Sequence, residues 1–518
     1  MIARANSTQQ KELHKYTTKK TKCFSTTQKI ISIIFLAIFS VVILTVICFS
    51  WLPHCTNEGF VLPNIVALLI SLLIGGSCYL LFKKITMKEK TFKILVILTF
   101  SILFLVQLLT LYFSYFKTGW DANLVDSIAD QAAKEGAFTT AGSNVYLTNF
   151  TNNIFIVSIL AFIKSLPVIG GHYFTILAIN ALLVNLAGLF TCLTLKKLVS
   201  KKAGIISIII TAPLLLFSPW IIIPYTDTFS ILFPILIFYI YISSNTWWKY
   251  GLIFFFSLIG FFIKPTVIIT LIAILLIELL KHRPKKPKFD KAFWLRSLAI
   301  MNGILFAFLI KYISFSYINY QPVKDITQAS YIHFLAMGQN EETCGQFHDT
   351  DHQEIKFGTE FEWQKFCNRV SSRSPKGQLG FFMRKLLVNF NDGTFAWGNE
   401  GAFYKEVPKR NSPISQFITS FYYNDGENHE VFEQLEQIIW LFVLFGCLFT
   451  FSKRAKNEES VLQLSLIGVF LFVMLFEARA RYLLCFAPMF VVCAVLGYHK
   501  ITVIFSEYRN KRIKESQR

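Results

Sequence analysis

The chain has 518 residues, 54% of them hydrophobic and only 16% charged, with a net charge of +20. That composition excludes a string of soluble domains and fits an all-α polytopic membrane protein with one large core. The positive charge is divided among tails and short loops and forms no single patch, which argues against nucleic acid as a partner and matches the positive-inside bias.

Residues 1–29 are polar and basic and precede a full-length apolar run, so they read as a cytoplasmic tail and not as a signal peptide. Twelve apolar runs then predict spans at 30–51, 61–82, 94–116, 173–195, 204–223, 228–244, 249–263, 266–280, 293–314, 435–452, 460–476 and 481–498. The first two read as accessory helices within 30–93. A core follows over 94–314, with a first outer loop at 117–172. A large polar loop covers 315–434, three helices cover 435–498, and a basic tail covers 499–518. Lys264-Pro265 separates two short runs and marks a hairpin turn or a broken helix. Residues 152–166 are apolar but short, and Pro167 and Gly170-Gly171 interrupt them.

Charge sorting fixes the sides. Basic residues number seven in the N-terminal tail, five in 83–93, four in 196–202, six in 281–291, three in 453–456 and six in the C-terminal tail. All six groups share the cytoplasmic side only if 152–166 does not cross. Residues 152–170 therefore read as an interfacial or re-entrant helix on the outer face. Both termini are then cytoplasmic, and 117–172, 224–227, Lys264, 315–434 and 477–480 lie outside. A loop as long as 315–434 argues for work at the outer surface.

The ionisable residues at outer span ends are the candidates for chemistry. Asp121, after Gly119-Trp120, is suited to act as a general base or to hold a metal. The bland alternative is a helix cap, with Asp126 and Asp130 as a solvated face. Asp227 in Pro224-Tyr225-Thr226-Asp227-Thr228 lies on the same side and is either a second acid or a cap. Lys264 either snorkels or meets an anion such as phosphate. Glu477-Ala478-Arg479-Ala480-Arg481-Tyr482 puts two arginines on the outer side against the positive-inside trend, and arginine grips phosphate oxygens with a planar fork. His348-Asp349-Thr350-Asp351-His352 has metal-ligand residue types but reads as a solvated or structural loop. The ten cysteines form no CxxC pair. Cys344 and Cys367 share the large loop and could be bridged in an oxidising space.

Seven stretches together resemble the GT-C superfamily of membrane glycosyltransferases, the enzymes related to protein O-mannosyltransferases (glycosyltransferase family 39) and lipid A aminoarabinose transferases. They are Gly119-Trp120-Asp121, Tyr146 to Asn153, Tyr225-Thr226-Asp227-Thr228, Ile263-Lys264-Pro265-Thr266, Met337-Gly338-Gln339-Asn340, Asp392-Gly393-Thr394-Phe395 and Glu477 to Tyr482. The order is similar to a Gram-positive subgroup that includes exosortase-associated integral membrane glycosyltransferases, over roughly 95–490. The resemblance implies a hexosyl transfer from a polyprenyl-phosphate sugar to a cell-envelope acceptor in the cell membrane. It implies catalytic roles for Asp121 and Asp227 and donor-phosphate binding by Lys264, Arg479 and Arg481. Trp120, Asn152, Asn153, Glu477 and Tyr482 are the expected substrate contacts. No cofactor is required, and a divalent metal is compatible. The chain departs from the pattern at Ala122, where many relatives have a second acid, and at Thr151, where the subgroup often has proline. The rival readings are a lipid-linked oligosaccharide polymerase or ligase, a lipid-linked sugar transporter, and a structural partner in an assembly complex. Reporter fusions at residue 199 are expected to report the cytoplasm; an external readout would overturn the assignment of sides.

Overall fold

The computed structural model describes residues 2–52, 61–83, 85–117, 120–135, 141–166, 172–243, 246–281, 290–323, 326–400, 411–452 and 455–516. Ordered by chain position, the helices begin with α1 (Ile2–Cys48), α2 (Asn64–Lys83) and α3 (Glu89–Ser114). The first loop forms α4 (Asp121–Glu135), α5 (Ala141–Asn149) and α6 (Ile154–Ser165). The core continues through α7 (His172–Leu198), α8 (Lys201–Thr211), α9 (Thr226–Ser230), α10 (Leu232–Ser243), α11 (Lys249–Ile263), α12 (Ile268–Lys281) and α13 (Lys291–Tyr317). The large loop folds into α14 (Tyr331–Met337), α15 (Asp349–Gln353), α16 (Gly358–Ser371), α17 (Pro375–Phe390), α18 (Trp397–Glu400) and α19 (Pro413–Tyr422). α20 (His429–Cys447), α21 (Asn457–Leu475), α22 (Arg481–Leu484) and α23 (Ala487–Ser516) complete the chain. The all-α membrane architecture is the one expected.

Among the described residues, nine helices are long and apolar enough to cross a bilayer, not twelve. The expected spans 204–223, 249–263 and 266–280 are the three that fall short. Pro213 lacks an N–H, so α8 gives way to a π turn over Ala212–Leu216 and then a 3₁₀ turn over Pro219–Ile222. Buried side chains satisfy the carbonyls this break frees. Gln107 donates to Leu216 O at 2.8 Å, and Asn180 donates to Ile221 O at 2.9 Å. Pro265 likewise ends α11, leaving Lys264 extended at φ −145°, ψ 114°. α11 spans about 22 Å at 1.5 Å per residue, against ~30 Å of hydrocarbon, which recesses Lys264 within the bundle. The segment around 152–166 is a broken pair, Ser143–Asn149 and Thr151–Ser165, bent by 106°. That bend suits a re-entrant element.

The basic segments gather at one end. Glu89 pairs with Lys196 and lies 3.4 Å from Lys201. Lys197 donates to Ser243 O at 3.2 Å, and Tyr241 beside it donates to Glu278 of α12 at 2.9 Å. Lys500 pairs with Glu459 at 2.7 Å, and Gln28 donates to Asn457 at 3.0 Å. α3 carries the chain about 39 Å from this end to the other, where α9, α12 and α22 begin and α11 and α21 stop. Residues 282–289 of one basic segment lie outside the described set.

α1 and α2 are packed into this bundle. The buried Asn64 of α2 donates to Val46 O at 2.8 Å and to Asn391 Oδ1 at 2.6 Å, and accepts from Gln437 of α20 at 3.0 Å. α11 and α13 cross through small residues. Ala299, Gly303 and Ala307 recur every four residues and are buried, while most of α13 is exposed. A Cβ on Gly251 would sit 2.6 Å from Ala299 O, and one on Gly303 would overlap Gly251 O. Such small faces let helix backbones touch where lipid offers no hydrophobic driving force. Gly303→Val is therefore expected to separate α11 from α13 and lower the melting temperature of the detergent-purified protein. Size-exclusion profiles after a heating series would check this, and an unchanged midpoint would refute the close crossing.

Candidate functional site

At the end opposite the basic segments, the breaks in α8 and between α11 and α12 deliver side chains to one place. Asp227 in the first turn of α9 is buried. Lys264 Nζ pairs with its Oδ1, and Arg481 Nε lies 3.7 Å from its Oδ2. Both cations are buried as well. A buried carboxylate thus lies between two buried cations in a low-dielectric setting.

Aromatic rings wall these charges. The Arg481 guanidinium lies 4.5 Å from the centroid of Trp120, and Lys264 Nζ lies 5.0 Å from that of Tyr482. Trp120 meets Tyr225 edge-on at 5.3 Å and Trp220 at 6.4 Å. Trp120 Nε1 is buried and has no hydrogen-bond partner among the described residues. Tyr482 donates its hydroxyl to Glu477 Oε2 at 2.6 Å. Asp121 opens α4 at the exposed rim. Burial pushes the Tyr225 hydroxyl pKa up, and the neighbouring Asp121 charge adds to the shift. Asn153 donates to Tyr146 Oη at 2.8 Å and to Tyr225 Oη at 3.4 Å. Asn152 is exposed and donates to Asn153 Oδ1 at 3.1 Å.

The predicted residues Trp120, Asp121, Asn153, Asp227, Lys264, Glu477, Arg481 and Tyr482 thus share one site, with Asn152 at its edge. Arg479 is half-buried, and its backbone N–H donates to Asn389 Oδ1 at 3.0 Å. Gly119 lies outside the described residues. The alternative view of Asp126 as a solvated residue does not hold. Asp126 is buried and pairs with Lys164 of α6 at 2.6 Å, and the same lysine reaches Asp130 at 2.8 Å. That bridge fixes α4, and so Asp121, against the broken pair.

The large loop supplies braces that sequence reasoning missed. Lys385 of α17 is fully buried and donates to Gly338 O and, at 2.6 Å, to Phe476 O. Asn389, one turn on, donates to Val473 O at 3.3 Å as well as accepting from Arg479 N. Ala478 N donates to Gly345 O at 2.7 Å. These bonds strap the segment carrying Glu477 and Arg481 to the loop. A lysine and an asparagine four apart in the apolar run Phe381 to Phe390 were the available signal.

Asp392-Gly393-Thr394-Phe395 is a second brace. Asp392 accepts from Thr394 N at 2.8 Å and from Ala396 N at 2.6 Å, and Thr394 O accepts from Trp220 Nε1 at 3.0 Å. The strain of the turn shows at Phe395 and Ala396, with φ of 56° and 68°.

The His348–His352 stretch is structural. Asp351 is buried against Arg369 at 2.8 Å, Lys365 at 3.2 Å and Asn340 at 3.0 Å. Burial alone would raise its pKa, but the Arg369 and Asn340 hydrogen bonds outweigh burial and hold the carboxyl below its usual range. His352 stacks on Phe150 at 5.6 Å, joining the large loop to the first. Among the described residues no three His, Cys, Asp or Glu side chains form a metal-binding group. Cys344 and Cys367 are both free thiols, the first buried and the second exposed, so the suggested bridge is absent.

The family described as "conserved hypothetical integral membrane protein" matches residues 23–502 of this chain. The chain belongs to that family. No curated protein and no solved structure matches it. All of the site residues of this integral membrane protein fall within the matched range.

Burial pushes the Lys385 ammonium pKa down to about 7, against 10.5 for the free side chain; Glu477 opposes the shift and Arg373 adds to it. Between those pH values the unfolded chain holds one proton more than the folded one. This residue's contribution to stability therefore rises with pH from about 7 to about 10.5, by about 1.4 kcal/mol per pH unit. Melting curves across that window should show the upward slope in the wild type and its loss in Lys385→Met; parallel slopes would refute the buried-ammonium account.

Proposed function

We propose that this protein is a GT-C-type membrane glycosyltransferase that moves a sugar from a polyprenyl-phosphate donor to an extracytoplasmic cell-envelope acceptor. One observation carries the reading: Lys264 and Arg481 converge on Asp227 beneath an aromatic wall, with Asp121 exposed beside them. The two converging cations suit the donor phosphate, and the surrounding apolar helices suit its polyprenyl chain. The positive-inside bias assigns the opposite, basic end to the cytoplasm.

The chemistry follows from these positions. An acceptor hydroxyl oxygen attacks the anomeric carbon and the bond from that carbon to the phosphate oxygen breaks, with inversion. The phosphate leaves with the bonding pair. Its charge grows in the transition state, where Lys264, Arg481 and the adjoining Arg479 stabilise it. Asp121 orients the acceptor hydroxyl and takes its proton. Asp227 supports the site by holding the two cations in register, since its two oxygens face one cation each. Trp120 stacks on the sugar, with its indole N–H as a donor to a hydroxyl. Asn152, Asn153, Glu477 and Tyr482 contact the substrate around it. The phosphate is already a good leaving group, so a strong acid catalyst is unnecessary.

Reconstituted protein supplied with a polyprenyl-phosphate monosaccharide and envelope acceptors should transfer single sugars. Asp121→Asn should lower turnover by about 10²–10⁴-fold while melting like the wild type. Near-normal turnover in that variant would remove Asp121 from the mechanism. Formation of long glycan chains in place of single transfers would point to a polymerase.

A further inference from the structure

A large cavity lies away from the candidate site, at the basic end. It measures about 650 Å³ and opens among α2, α8, α20 and α23. Its walls are apolar, with Ile74, Ile206, Ile210, Phe442, Phe449 and Tyr498 among the lining residues. Gly76 faces open space, since a Cβ built there would meet nothing within 4 Å. At its mouth lie Ser200 and Lys202, which also line a second cavity of about 380 Å³. The other residues around that second cavity are Met87, Lys196 and Lys201.

The two spaces together have a definite chemistry. One is a slot with apolar walls among α2, α8, α20 and α23. The other is lined by three lysines, Lys196, Lys201 and Lys202, with the Glu89 carboxylate against the first two. Lys201 is steered into place by donating to Met87 O at 3.1 Å. His499 adds a polar group on the α23 wall. A bilayer lipid with a neutral headgroup would fill the slot but gain nothing from the lysines. A lipid whose headgroup carries a phosphate without a compensating cation would satisfy both parts.

We propose that this paired cavity binds an anionic phospholipid of the leaflet at the basic end. An acyl chain occupies the apolar slot, and the headgroup phosphate sits against Lys196, Lys201 and Lys202. The lipid would tie α2 to the core across a seam that the protein's own side chains leave open, much as a side chain does in a closed core. The inference stands apart from the proposed sugar transfer, because it concerns the other end of the bundle and a lipid that is not consumed.

The test uses the full chain in nanodiscs with equal phosphatidylglycerol and phosphatidylcholine, followed by extraction into mild detergent and native mass spectrometry. Retained lipid should be enriched in phosphatidylglycerol by about tenfold. Lys201→Gln with Lys202→Gln should abolish the enrichment, and Lys202→Arg should keep it. Gly76→Phe should lower retention of both lipids. Phosphatidylglycerol should also raise the melting temperature of the wild type, and inorganic phosphate should not. Equal retention of the two lipids by the wild type would overturn the proposal. So would an enrichment that survives the double glutamine substitution, or a stabilisation that inorganic phosphate reproduces. Each readout is independent of whether the protein transfers sugar.

Discussion

A buried carboxylate shared by two buried cations is the constraint around which this molecule is arranged. Asp227, Lys264 and Arg481 come from α9, the α11–α12 junction and α22. Removing charges of this kind from water is costly, and the cost is offset only when partners hold good geometry. Each residue therefore sits at an interruption of a helix, where the chain can turn a polar group inward without exposing backbone to lipid. The aromatic wall of Trp120, Tyr225 and Tyr482 shields the group, and the large loop fixes the arginine segment from above.

Those interruptions are themselves held by side chains. Gln107 and Asn180 reach carbonyls that the broken stretch after α8 cannot pair internally. Without such partners, irregular backbone at this depth would leave unpaired polar groups in hydrocarbon. Polar residues on α3 and α7 thus serve a segment far along the chain, which gives a physical reason for asparagine and glutamine within otherwise apolar helices.

Much of the architecture is legible in the sequence, because long apolar runs and charge sorting act through the bilayer alone. The span over 94–116 and the break at Lys264-Pro265 needed no tertiary information. The run over 204–223 misled because its hydrophobicity hides the effect of Pro213 and Pro219 on helix length. At the site, Asp121, Asp227, Lys264 and Arg481 stand out because charges are rare among apolar neighbours. Lys385 and Asn389 did not, since they lie within a polar loop and are buried only by the fold of that loop. Asp126 was misjudged for a similar reason, as its partner Lys164 sits 38 residues away.

The contacts of Asn64 bear on where a shortened form of this protein could begin. Its amide faces Asn391, next to the turn that orients Trp220, and Gln437 on α20. A chain trimmed to residue 94 would keep every side chain of the candidate site yet lose the bonds that Asn64 makes to these two amides. The two opening helices therefore act as a structural partner to the core and not as a detachable leader, and a minimal version has to retain them.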